Sequence, residues 1–226
     1  MKRIILCVEG QGEVEAMPLL IKKVLAAKGL SNTICVDPIP PFRVGGFFSL
    51  SPNNFVFWKK KVQAAMLRKD AGGVLLVLDS DVLSDKQSLA TCPIDAARQL
   101  VQAAAAVGAG VRFPLAVVFA CQEFESWFVA AFDRLAGKRM PDGRQIRATA
   151  IDMPPHPEVA PKNAKGWLSR QIDCGYKPTR DQLALIQLLA VEDLRSGGCR
   201  SFTRLETAVD QLANAISSGT HLATPY

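Results

Sequence analysis

An α/β fold, a parallel sheet flanked by helices, is the architecture this 226-residue sequence predicts, on three observations. The first is Val74-Leu75-Leu76-Val77-Leu78, an apolar run without alternation that leaves directly into Asp79-Ser80-Asp81. A strand that is apolar on both sides suits a parallel sheet covered by helices on both faces. The second is the alternation of such runs with stretches at helical spacing, in the order βαβαβαβα, which implies right-handed crossovers. The third is that the runs end in acids: Glu9 after the first, Asp79 and Asp81 after the third, Glu123 and Glu125 after the fourth. In open α/β sheets that edge is where ligands bind.

Taken in order, residues 3–8 predict a buried strand, followed by the turn Glu9-Gly10-Gln11-Gly12-Glu13. From Val14 the positions Met17, Leu20, Ile21, Val24 and Leu25 keep helical spacing, with Gly29 as the C-cap. Pro18 falls near the first turn, where a missing N–H is tolerated. A short strand over 33–36 ends at Asp37-Pro38, and the Pro-, Gly-, Phe- and Ser-rich stretch 38–54 predicts a long loop beside the site. A helix over 55–70 carries Lys59, Lys60, Lys61, Arg68 and Lys69, a charge run that reads most simply as a solvated face. Gly72 and Gly73 mark a turn into the central strand. Pro93 and Asp95 open a helix through Val107, residues 112–121 give a fourth strand, and a helix runs on to about Leu135. Gly137 to Pro161 is loop-like, with prolines at 141, 154, 155, 157 and 161. Helical spacing returns at 164–172, 180–196 and 202–216, so residues 1–135 predict the α/β domain and 136–226 a mostly helical C-terminal lobe packed on it.

Composition excludes several classes. Half the residues are hydrophobic (49%) and 21% are charged, as in ordinary globular proteins. No apolar run reaches ~18 residues, so no membrane span is expected, and the five-residue apolar start after Lys2-Arg3 ends in Glu9, unlike a signal peptide. Cysteines 7, 35, 92, 121, 174 and 199 form no CxxC and no pair with a histidine. Cys7, Cys35 and Cys121 fall in predicted strands, where free thiols pack as small hydrophobes, so a cytoplasmic location is expected rather than a zinc site or disulfide framework. The two histidines, His156 and His221, give histidine-based catalysis little to work with, His221 lying in a stretch that reads as a frayed tail. Residues 1–133 carry 14 Lys+Arg against 12 Asp+Glu, whereas residues 134–204 carry 13 against 7. That basic excess lies away from the acids and suits a polyanionic partner.

Acids at three strand ends would repel across a shared crevice unless a cation or proton intervened. A hard ion such as Mg²⁺, held by a few carboxylates and substrate phosphate, is the economical explanation. One or two such ions clamp the attacking and leaving oxygens of a phosphodiester. The structural alternative is that the acids cap the following helices.

These motifs resemble a known family. Val8-Glu9-Gly10-x-x-Glu13 and Leu78-Asp79-Ser80-Asp81 resemble the Toprim domain of topoisomerases, bacterial primases and overcoming-lysogenization-defect nucleases, a Rossmann-like fold. The match is closest to the Toprim-like family of domain of unknown function 4276, which Gln122-Glu123-Phe124-Glu125-Ser126-Trp127-Phe128 and Cys199-x-Ser201-Phe202 also resemble. The resemblance implies Glu9 as metal ligand or general acid/base, Asp79 and Asp81 as holders of Mg²⁺ (or Mn²⁺), and Glu13 with Glu123 or Glu125 at a second metal position. The chain lacks the tyrosine domain of a topoisomerase and the length of a primase, so hydrolysis of nucleic acid, DNA rather than RNA, is the expected reaction. Association implies an AAA-type or ABC-type ATPase partner in anti-phage defence. Two alternatives stand beside this: a non-catalytic Toprim-shaped binding subunit, and an Asp-nucleophile phosphatase like the haloacid dehalogenases, whose Asp-x-Asp normally follows the first strand. Lys162, Lys165, Arg170, Lys177, Arg180, Arg195, Arg200 and Arg204 are candidate phosphate contacts, with Trp167 and Tyr176 among them able to stack bases, although a helical Trp is more often core.

Overall fold

A computed structural model describes residues 1–84, 92–159 and 162–224; Pro161, part of the expected 137–161 loop, lies outside them. The sheet consists of β1 (Lys2–Val8), β2 (Ile34–Val36), β3 (Phe42–Arg43), β4 (Ala71–Asp79), β5 (Leu115–Ala120) and β6 (Ala223–Thr224). Every pairing is parallel, in the order β2-β1-β4-β5-β6, and β3 also pairs with β1, beyond the stretch that β2 occupies. The α/β class and the parallel sheet flanked by helices are therefore as the sequence predicts.

Period-2 alternation splits each strand between two cores. Ile4, Leu6, Val8, Leu75, Val77, Ala116 and Val118 face one side, where α1 (Gln11–Ala27), α5 (Ser126–Ala130) and the C-terminal helices α7 (Ala164–Gln171), α8 (Pro178–Leu188), α9 (Val191–Ser196) and α10 (Arg200–Ser218) contribute to a single apolar cluster. Ile5, Cys7, Val74, Leu76, Leu78, Leu115 and Val117 face the other side, against residues of α2 (Phe47–Leu50), α3 (Pro52–Met66) and α4 (Pro93–Ala105). With both faces buried, the apolar runs carry no alternation in sequence. A short helix α6 (Phe132–Leu135) follows α5 after a break at Ala131.

Several boundaries differ from expectation. Gly72 and Gly73 lie inside β4 rather than in a turn: a Cβ on Gly73 would stand 2.9 Å from the Pro114 carbonyl oxygen, and one on Gly72 would stand 3.1 Å from Ile216 of α10. They mark close backbone approach within a strand. The 38–54 stretch holds β3 and α2, elements too short to show a period. Cys121 lies one residue past β5. The presumed frayed tail instead returns to the sheet, where the Leu115 N–H donates to the Leu222 carbonyl at 2.7 Å and β6 covers the edge of β5. No helix among the described residues is long and apolar enough to cross a membrane.

Candidate functional site

Strand order reverses between β1 and β4, because the chain proceeds from β1 to β2 on one side and from β4 to β5 on the other. The crevice outside the carboxyl ends at such a reversal is the ligand position in open α/β sheets. Glu9 follows β1 and Asp79 ends β4 on the two sides of it. Glu9 Oε2 accepts the Asp79 backbone N–H at 3.0 Å, and a Cβ on Gly46 would come within 3.0 Å of Glu9 Oε1. Glycine at 46 thus leaves the Glu9 carboxylate its place.

Glu13 is bound into the start of α1. Its Oε2 accepts from the backbone N–H groups of Glu9 at 2.9 Å and Gly10 at 3.2 Å, so it caps the helix that follows β1. A Cβ on Gly12 would stand 2.7 Å from the Pro178 carbonyl oxygen, so this glycine lets the start of α8 close against α1.

The ends of β4 and β5 are laced together. Asp79 Oδ1 accepts the Phe124 N–H at 2.7 Å, the Asp81 N–H donates to the Gln122 carbonyl at 2.9 Å, and Ser80 Oγ accepts the Gln122 N–H at 2.9 Å. Gln122 sits at φ 63°, a left-handed turn that redirects the chain toward Glu123 and Glu125. Asp81, in a 3₁₀ turn (Asp81–Ser84), is half-buried. Glu125 is fully buried: its Oε1 accepts from the Tyr176 hydroxyl at 2.7 Å and from Gln182 Nε2 at 2.9 Å, while its Oε2 is buried without a hydrogen-bond partner.

Among the described residues, one cation enters this cluster. The Lys165 ammonium lies 2.7 Å from Glu123 Oε1, 3.4 Å from Glu125 Oε2 and 3.6 Å from Asp79 Oδ2. Burial alone would lower its pKa, but the charges of Glu125, Asp79 and Glu123 hold it well above the ordinary lysine value. The acids remain in excess. Burial raises the carboxyls of Glu9 and Glu13, that of Glu13 to about 7, and burial together with the charges of Glu13 and Glu125 raises Asp79 well above the usual range. Burial and the neighbouring Glu125 charge likewise raise the Tyr176 hydroxyl, keeping it a donor.

The structure therefore brings Glu9, Glu13, Asp79, Asp81, Glu123 and Glu125 to one edge of the sheet. Among the described residues no group of three or more His, Cys, Asp or Glu forms a metal cage as the side chains stand. The donor chemistry nevertheless fits a hard ion. The donors are all carboxylate oxygens, and one of them, Glu125 Oε2, is buried without a hydrogen bond, with only the Lys165 ammonium beside it at 3.4 Å. Mg²⁺ typically takes only one or two carboxylates and completes its shell with water and phosphate.

The basic candidates divide between side chains with partners in the chain and exposed ones. Lys165 is drawn into the acid cluster, Arg180 pairs with Asp181, Arg195 with Glu206, and Arg204 bonds Gln211 and Thr224. Lys162, Arg170, Lys177 and Arg200 are exposed. Trp167 and Tyr176 are buried, with Trp167 Nε1 donating to the Asp152 carbonyl, so neither offers a face to a base. Sequence reasoning missed Tyr176 and Gln182 as partners of Glu125. They arrive from α8 and the residues before it, more than 50 positions away, with no local pattern to mark them.

A family model described as "Domain of unknown function (DUF4276)" matches residues 8–210. No curated protein and no solved structure matches the chain.

Proposed function

The chain belongs to the DUF4276 family, and on that premise we propose that it is a metal-dependent hydrolase of nucleic-acid phosphodiesters. One observation carries the proposal: Glu9 and Asp79 meet across the strand-order reversal, in a cluster where, among the described residues, the buried acids outnumber the one lysine. Stability alone does not account for that arrangement, because burial pushes Glu9, Glu13 and Asp79 toward protonation. Glu9, Asp79 and Asp81 would hold Mg²⁺ or Mn²⁺, and the bound ion would supply an activated water and shield the phosphate charge. The protein's own groups do the rest. Glu13 fixes Glu9 by capping the turn between them. Tyr176 and Gln182 hold Glu125, and Lys165, whose side chain is about one-third exposed, offsets three acids. Six free cysteines suit a reducing compartment such as the cytoplasm.

A binding subunit without hydrolysis, serving an ATPase, is the second reading. Lys165 favours it, because an internal ammonium can substitute for a metal among Asp79, Glu123 and Glu125. The test is incubation of the purified chain with plasmid DNA, single-stranded DNA and RNA, with Mg²⁺, with Mn²⁺ and with chelator. Metal-dependent breakdown supports hydrolysis. Substrates that stay intact under every condition count against it.

A further inference from the structure

We infer that β3, α2 and α3 form a base-stacking platform for single-stranded nucleic acid, leading the strand to the acid edge. The inference takes its direction from the hydrolytic reading of that edge. Its evidence is separate.

The Arg43 end of β3 pairs with Val8, the residue before Glu9, and the Gly45 N–H donates to the Glu9 carbonyl at 3.2 Å. This segment is therefore a wall of the crevice. Beside it, aromatic rings stand in the open. Phe48 is 44% exposed and Phe57 41%, although large apolar side chains are usually buried in a molecule with this much core. Phe48 packs edge-on against Phe47, and Phe57 has a cation beside it. Lys61 Nζ lies 5.0 Å from the Phe57 ring centre and 5.6 Å from that of Phe42, while the Arg68 guanidinium, 4.0 Å from the Phe42 ring centre, is paired with Asp37 at 2.8 Å and braces the wall rather than offering free charge. Arg43 is exposed at the end of β3.

Rings alternating with cations are what a single strand needs: faces for its bases and positive charge for its backbone. A duplex keeps its base faces stacked inside and gains nothing from exposed rings. A protein partner would meet a surface whose cations lie among the rings, whereas protein interfaces are depleted in charge at their apolar centre. The chain also accepts strain here. Asn53, Asn54 and Phe55 are successive left-handed residues at φ 51°, 56° and 58°. Asparagine tolerates that conformation, but in phenylalanine the Cβ crowds the following carbonyl oxygen. The strained turn lies directly before Val56 and Phe57, both exposed.

The experiment is fluorescence anisotropy in chelator with a labelled 20-nucleotide single strand and the corresponding duplex. The proteins are wild type, Phe48→Ala, Phe57→Ala, Lys61→Gln, Arg170→Ala and Lys177→Ala, each checked for folding by circular dichroism. Wild type binds the single strand more tightly than the duplex. Phe48→Ala and Phe57→Ala each raise Kd about tenfold, as expected for one lost stacked base. Lys61→Gln weakens binding and lowers the salt slope by about one. Absent binding, equal affinity for duplex, unchanged affinity in both phenylalanine variants, or loss confined to Arg170→Ala and Lys177→Ala would each overturn the inference. Platform binding without metal-dependent cleavage would end the hydrolytic reading alone. Cleavage of single strands that is indifferent to Phe48 and Phe57 would end the platform alone.

Discussion

Glu9 and Asp79 are joined directly: the Glu9 carboxylate accepts the Asp79 backbone N–H at 3.0 Å, tying the end of β1 to the end of β4. An amide can keep that hydrogen bond while losing the charge. Glu9→Gln is therefore expected to fold, to melt at or above the wild-type temperature at pH 8, and to lose metal-dependent cleavage. Melting curves and cleavage assays check the two halves separately.

Glu13 sets a pH dependence with a definite sign. Its folded pKa is raised to about 7 by burial, above the unfolded value of 4.5, so the folded state binds the extra proton between those limits. This group favours the folded chain as pH falls from 8 toward 5 and penalises it above 7. Glu13→Gln keeps the capping oxygen. It should melt higher than wild type at pH 8, with the gap closing near pH 5, as followed by thermal melts across that range.

Lys165 is the counter-charge of three acids. Removing one partner of a fully buried pair costs ~3–5 kcal/mol. Because the Lys165 side chain is 36% exposed, Lys165→Met should cost less, about 2 kcal/mol at pH 8. Urea denaturation should show much of that loss recovered at pH 5, where the acids can protonate. A loss independent of pH would mean that packing of the lysine stem, not its charge, is what matters.

Tyr176→Phe removes a donor from the buried Glu125 Oε1 and leaves Gln182 in place. The expected cost is about 2 kcal/mol, the scale for a hydrogen bond to a charged group. Equilibrium denaturation measures it.

The core strands were legible because burial on both faces writes itself as an apolar run: Val74–Leu78 and Leu115–Ala120 could be read directly. Acids could be placed because a parallel sheet sends every carboxyl end to one edge, which assembled Glu9, Asp79 and Glu123 without knowledge of contacts. What stayed hidden depends on tertiary approach. Two-residue strands β3 and β6 have no period to show. Gly72 and Gly73 resemble a turn until Pro114 and Ile216 are seen against them. Lys165 looked like one more phosphate-contact candidate, since nothing local reveals that α7 delivers it among carboxylates 40 or more residues away. Within the basic excess of residues 134–204, the pairing of arginines with acids of the chain was hidden for the same reason.

The most direct test of the central claim is the cleavage rate of a labelled single-stranded DNA in Mg²⁺ by wild type and Asp79→Asn, compared at equal binding. The hydrolytic account predicts breakdown by wild type that stops in chelator, and a fall of at least about 100-fold in the variant with its fold retained. A metal-independent rate, or equal rates in the two proteins, would contradict it.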